Sequence, residues 1–185
     1  MRKTSRKHKS HSIKAFIFDF DGVVVDTEKY HYLSWVAAAS HVGYDLGWEE
    51  YLPLKSTGNT EITQYLCDHS GKDVSEELFQ IMRNTKLTSF DELVKDLSEK
   101  DVLPGIRDFL TWLNAQGVRT AVASSSNTSS GLANRFDLTK HFGVVIDGNR
   151  KLPRKPAPDT FLLAAKMLGV DPADCIVFED SLAGI

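Results

Sequence analysis

The apolar run Ile13-Lys14-Ala15-Phe16-Ile17-Phe18 stops abruptly at Asp19-Phe20-Asp21-Gly22. Extended backbone points residues i and i+2 to one side, so Asp19 and Asp21 present their carboxylates together while Gly22 is free to take a tight turn. Such a pair can supply a nucleophile and a proton donor or acceptor; a polar strand end is the plain alternative. A calcium loop opening with D-x-D is excluded, because its fifth and twelfth positions need oxygen ligands and hold Val23 and Tyr30. Far along the chain, Glu179 and Asp180 close another short apolar run beside Ser181. If both runs lie in one sheet, three or four carboxylates gather at its edge and repel one another. A hard cation compensates them, and an oxygen-only ligand set points to Mg²⁺; the other reading is an acidic helix N-terminus favoured by the helix dipole. Ser124-Ser125-Ser126-Asn127 stands where a helix is predicted to open, so its hydroxyls and free N–H groups suit an anion, phosphate above all, or else form an ordinary serine N-cap. Lys155, in Arg154-Lys155-Pro156-Ala157-Pro158-Asp159, is held by two stiffening prolines and can neutralise carboxylates and phosphoryl oxygens, although a lone loop lysine is usually solvated.

These clusters need a scaffold. Residues 13–18, 119–123, 142–146 and 175–178 read as buried strands, each ending in a polar cluster. Ile106, Phe109, Leu110 and Leu113 recur at helical spacing after Pro104, which is placed in the first turn, and Gly117 sits just past the end. Phe161, Ala164, Ala165 and Leu168 repeat the pattern and stop at Gly169. Strands alternating with helices predict an α/β fold with a parallel sheet covered on both faces, and such sheets bind ligands beyond the carboxyl ends of their strands. From 28 to about 99 the alternation breaks. Helical patterns at 28–42, 47–54, 59–70 and 74–97, punctuated by Gly43, Gly47, Gly58 and Gly71, predict an all-α cap inserted after the first strand and lying above the site.

Composition narrows the class. The chain has 185 residues, 42% hydrophobic, with 22 Lys+Arg against 25 Asp+Glu, an ordinary balance for a globular protein. No apolar run approaches the roughly 18 residues of a membrane span. Cys67 and Cys175 stand far apart, so neither a disulfide framework nor a cysteine zinc site is available and the cytoplasm fits best. Six basic residues lie within the first 14, which leaves the rest at a net −9. Residues 1–12 therefore read as a disordered basic tail, and the acidic body makes nucleic acid an unlikely partner.

Taken in order, Asp19-Phe20-Asp21-Gly22-Val23-Val24-Val25-Asp26-Thr27, Ser124 after its strand, Lys155-Pro156-Ala157-Pro158-Asp159 and Phe178-Glu179-Asp180-Ser181 resemble the four motifs of the haloacid dehalogenase-like (HAD) phosphatase superfamily. The likeness spans residues 13–185 and is closest to the β-phosphoglucomutase-like branch, whose helical cap begins with a segment similar to Thr27-Glu28-Lys29-Tyr30-His31 followed by Trp35. The resemblance implies a three-layer, Rossmann-like parallel sheet from 13–27 and 100–185 with an all-α cap domain at 28–99. It also implies Asp19 as nucleophile and Asp21 as general acid/base, with Ser124, the N–H of Ser125 and Lys155 on the phosphoryl oxygens. Mg²⁺ would be held by Asp19, the carbonyl of Asp21, Glu179 and Asp180. Thr27 belongs to the same substrate-facing set, and His31, Lys55, Asn59 and Lys86 are the cap candidates for substrate contact; a packed histidine and a solvated lysine are the alternatives for His31 and Lys86.

Two departures matter. Mutases of this branch carry an arginine where Asn59 stands, which grips the second phosphate of a bisphosphorylated sugar; asparagine cannot make that bidentate charged contact, which favours a phosphatase for a monophosphate. The expectation is therefore a monomeric, Mg²⁺-dependent phosphatase of a small phosphorylated metabolite, a sugar phosphate first among them, working through an aspartyl phosphate. A β-phosphoglucomutase is the runner-up, and a non-catalytic phosphate-binding module is the rival of a different class. The chain also stops at Ile185, where family members continue, so it reads as truncated, and the fourth strand should present an open edge.

Overall fold

The structure, a computed structural model, describes residues 12–55 and 57–185. The expected basic tail lies outside the described residues except for Ser12. Strands β1 (Ala15–Phe18), β2 (Arg119–Ala123), β3 (Val144–Ile146) and β4 (Cys175–Phe178) form one parallel sheet in the order β3-β2-β1-β4. Side chains alternate across it, as extended backbone requires. Phe16 and Phe18 pack with Phe109, Leu110 and Leu113 of α5 (Ile106–Ala115) and Leu132 of α6 (Ser129–Arg135) on one face. On the other, Ile17, Ala121, Ala123 and Ile146 meet Ala164 and Ala165 of α7 (Asp159–Leu168). Three α/β layers result, as the alternating pattern predicts. β4 is an edge strand, and Ile176 and Val177 stay 37% and 40% exposed, in line with the expected open edge.

Among the described residues, no strand interrupts positions 28–97. They hold α1 (Glu28–Ala39), α2 (Trp48–Tyr51), α3 (Asn59–His69) and α4 (Glu76–Leu93), closed around their own core of Trp35, Leu46, Tyr51, Ile62, Leu66 and Met82. The two chain crossings into and out of this helical cap run side by side: Leu103 N–H donates to the Val24 carbonyl and Asp26 N–H to that of Asp101, at 3.0 and 2.7 Å.

Several boundaries differ from the periodicity reading. The serine cluster does not open a helix. α6 starts at Ser129, because the Ser124 and Ser126 hydroxyls accept from the backbone N–H groups of Ser126 and Thr128 and fold the segment into a turn first. Pro104 precedes α5 rather than forming its first turn, since Gly105 takes a left-handed φ of 83° as the N-cap. Residues 47–54 shrink to one helical turn, Trp48–Tyr51. β3 begins at Val144, after a short 3₁₀ turn at Thr139–His141.

Candidate active site

Parallel register brings the polar strand ends together. Phe18 lies opposite both Val122 and Phe178, so Asp19, Ser124 and Glu179 leave the sheet at one rim. Asp19 N–H donates to the Phe178 carbonyl at 2.9 Å. The Lys155 ammonium sits 2.9 Å from Asp19 Oδ1 and 2.5 Å from Glu179 Oε2, and lies 4.8 Å from the centre of the Phe161 ring. Glu179 is itself oriented by the backbone N–H and hydroxyl of Ser181. Oxygen atoms of Asp19, Glu179 and Asp180 all lie within 4.8 Å of one another. Three oxygen donors at that spacing, with no nitrogen or sulfur among them, fit a hard divalent cation.

The Asp21 carboxylate has a separate set of partners. Its Oδ1 accepts from the Thr27 hydroxyl at 2.7 Å and lies 3.8 Å from His31 Nε2, while Oδ2 accepts from Ser124 Oγ at 3.4 Å. Thr27 occupies the N-cap position of α1 without capping it; its hydroxyl serves the aspartate instead. Behind His31 the chain builds a second layer: Lys86 Nζ is 3.3 Å from His31 Nδ1, and the imidazole stacks on Phe90 at 4.0 Å. Lys86 is buried, packed over Phe90 and Trp35, rather than solvated. His31 is packed on Phe90, as the histidine alternative expects, and also lies in reach of Asp21.

The electrostatics separate the two aspartates. Burial, with the charges of Asp21 and Glu179 adding to it and Lys155 opposing, pushes the Asp19 carboxyl up to about 7. For Asp21 burial is outweighed by the hydrogen bond and charge of His31 together with Thr27, and the group is held below the usual carboxylate range. Burial pushes the Lys86 ammonium down to about 8, with Asp21 resisting and Arg154 assisting. Asp19 is thus a carboxylate under stress that a cation would relieve.

A cavity of about 390 Å³ lies over this rim, and its wall includes Asp19, Asp21, Ser124, Ser125, His31 and Asn59. Lys55 and Lys86 also line it. Lys55 reaches from the cap to Asp180 at 3.3 Å and to Glu28 at 2.7 Å, and Tyr51 donates to the other Glu28 oxygen. Every predicted site residue therefore borders one space or touches a residue that does. Glu28, which aims Lys55, and Arg154, which lines the mouth, were not singled out from the sequence. Glu28 lies 27 residues before its partner, and no local pattern links them.

A family profile described as a hydrolase, haloacid dehalogenase-like hydrolase, matches residues 13–185. The β-phosphoglucomutase of Bacillus subtilis (strain 168) is 34% identical over 94% of this chain and 77% of its own length. The fructose-1-phosphate phosphatase of Escherichia coli (strain K12) is 28% identical over 91% of this chain and 87% of its own length. The crystal structure of a β-phosphoglucomutase from Clostridium difficile superposes with a TM-score of 0.80 at 32% identity, covering 94% of this chain and 78% of that one. Matched over nearly all of its length, the chain belongs to the haloacid dehalogenase-like hydrolases, as an enzyme of the phosphoric monoester hydrolase or phosphoglucomutase type.

Proposed function

We propose that the chain is a Mg²⁺-dependent phosphatase of a small phosphorylated metabolite, a sugar phosphate first among the candidates, acting as a cytoplasmic monomer. In this reading 13–27 and 100–185 form the catalytic core and 28–99 the cap that closes over it. Asp19 attacks phosphorus, the bond to the leaving oxygen breaks, and Asp21 delivers a proton to that oxygen. Water then attacks the phosphoryl group on Asp19, Asp21 takes the water's proton, and inorganic phosphate leaves with Asp19 restored. Asp21 is held ionised by His31 and Thr27, the state the second half needs; the approach of an anionic phosphoryl group raises its proton affinity for the first. Ser124, the Ser125 N–H and Lys155 cradle the phosphoryl oxygens, whose spread charge makes positioning the larger part of the work. Asp19, Glu179, Asp180 and the Asp21 carbonyl are the groups that would hold Mg²⁺, which supplies further neutralisation of phosphoryl charge. Lys55, Asn59, His31 and Lys86 supply the cap's contacts to the rest of the substrate.

The observation carrying this reading is the Lys155 ammonium 2.9 Å from Asp19, within the same cluster as Glu179 and Asp180. The test is inorganic phosphate release from a panel of phosphomonoesters with Mg²⁺, lost by about 10³-fold or more in Asp19→Asn. The similarity to β-phosphoglucomutases supports a second reading, in which phosphate returns to another hydroxyl of the sugar. Glucose 6-phosphate formed from β-glucose 1-phosphate without phosphate release decides for it. Silence across the panel with intact phosphate binding decides for a non-catalytic binding module.

A further inference from the structure

The loop from Asp147 to Arg154 is docked backbone to backbone on the serine turn. A Cβ at Gly148 would stand 2.4 Å from the Ser125 carbonyl oxygen and 2.5 Å from Asn127 Oδ1, so only glycine allows this approach. Asn149 Nδ2 adds a hydrogen bond to the Asn127 carbonyl at 3.0 Å. Past the contact, Lys151 takes a left-handed φ of 52°, a strained conformation for a non-glycine residue.

This loop walls a second cavity, also about 390 Å³, that shares Ser124, Ser125, Asn127 and Arg154 with the first. Lys151 and Arg154 both line it, and neither side chain has a hydrogen bond or ion pair among the described residues. The one acid in the wall, Asp147, already accepts from the Asn149 backbone and side chain at 3.1 Å. Two adjacent cations thus divide their work. Lys155 points into the carboxylates, and Arg154, one residue earlier on a proline-stiffened loop, opens onto the annex. The two cavities share four wall residues, Arg154 among them, so an anion in the annex and a phosphoryl group against Asp19 would be neighbours across a common wall.

We propose that the annex is a second anion subsite, in which Arg154 and Lys151 grip a carboxylate or a second phosphate on the same substrate. The proposal rests on the phosphatase reading and revises its substrate class, from the plain monophosphate that Asn59 predicts to phosphorylated metabolites bearing a further acidic group held at the loop instead of the cap. A guanidinium fork suits either acid; both cations are exposed, so an anion adds charge pairing that neither water nor a neutral hydroxyl supplies.

The test compares kcat/KM on two matched pairs with the Mg²⁺-loaded full chain: fructose 1-phosphate against fructose 1,6-bisphosphate, and ethyl phosphate against phosphoglycolate. The expected result is a preference of tenfold or more for the doubly anionic member of at least one pair, the pair telling second phosphate from carboxylate. Arg154→Gln should cut that preference at least tenfold, and Arg154→Lys should restore part of it. No preference in either pair, or equal losses on both members in Arg154→Gln and Lys151→Gln, overturns the subsite. Calorimetric titration of the same ligands into Asp19→Asn needs no turnover. Hydrolysis of nothing by the unmodified chain sinks the phosphatase reading, while an affinity ratio in Asp19→Asn that Arg154→Gln leaves within twofold sinks the annex.

Discussion

Replacing Gly22 by alanine tests the metal cluster without touching a carboxylate. Gly22 has φ +77°, and a Cβ there would stand 2.5 Å from Asp180 Oδ2 and 2.8 Å from its Cγ. Two costs follow and can be separated. The left-handed backbone strains any L residue by about 1–2 kcal/mol, which lowers Tm by roughly 2–8 °C in a domain of this size. Gly117→Ala carries the same strain, at φ +71° with nothing within 4 Å of its Cβ, and is the control. The second cost belongs to Gly22 alone. To regain ordinary contact Asp180 Oδ2 must retreat from 2.5 Å to 3.4 Å, several times the ~0.2 Å tolerance of a metal–ligand distance. Mg²⁺ affinity measured by calorimetry should therefore fall about 10–100-fold in Gly22→Ala and stay near the unmodified value in Gly117→Ala. Equal Mg²⁺ affinity in the two variants refutes the placement of Asp180 in the metal site.

Without metal, Asp19, with its carboxyl raised to about 7 from 3.8, keeps its proton in the fold at pH values where the unfolded chain has lost it. The folded state binds the extra proton between about 4 and 7, so this group's contribution to stability falls as pH rises through that window. Mg²⁺ competes with that proton, and its stabilising effect in thermal melts should be larger at pH 8 than at pH 5; a flat response sinks the idea. Lys155→Met leaves Asp19 and Glu179 facing each other unneutralised in a buried site, and about 3–5 kcal/mol of stability should go. Mg²⁺ should recover part of that loss, so a Mg²⁺-induced rise in Tm no greater than in the unmodified chain counts against the pair. Lys86, lowered to about 8, supplies its positive charge beside His31 and Asp21 only while protonated, so kcat/KM should decline as pH rises through about 8. Lys86→Met keeps the packing on Trp35 and Phe90 and should remove that alkaline limb; a limb that persists in the variant assigns it to another group.

The core was legible because its chemistry sits on strand ends. A buried parallel strand announces itself as a short apolar run, and hydrogen-bonded register then carries the residue after each run to the same rim. Phe18 opposite Phe178 is enough to bring Asp19 and Glu179 together. The errors fell where side chains compete with backbone pattern. Ser124 and Ser126 accept backbone N–H groups that a helix start would have used, and Gly105 takes the cap that Pro104 was expected to hold inside the first turn.

Contacts that depend on how the cap and the loops dock leave no such mark. Lys55 and Lys86 stand out in the sequence only by family resemblance; nothing local shows that Glu28 and Asp180 hold the first across the cavity or that Trp35 and Phe90 close over the second. Arg154 is the sharpest instance. Beside the conspicuous Lys155 it looks like an extra charge in a loop, and only the folded chain, with Gly148 and Asn149 docked on the serine turn, shows that it borders a second cavity as well as the first. Catalytic groups anchored to the sheet are therefore readable one residue at a time. In the proposed reading, the groups that choose the substrate lie on elements whose placement is a tertiary event, and the same three-layer core could serve different phosphorylated molecules by changing which cations those elements deliver to the mouth.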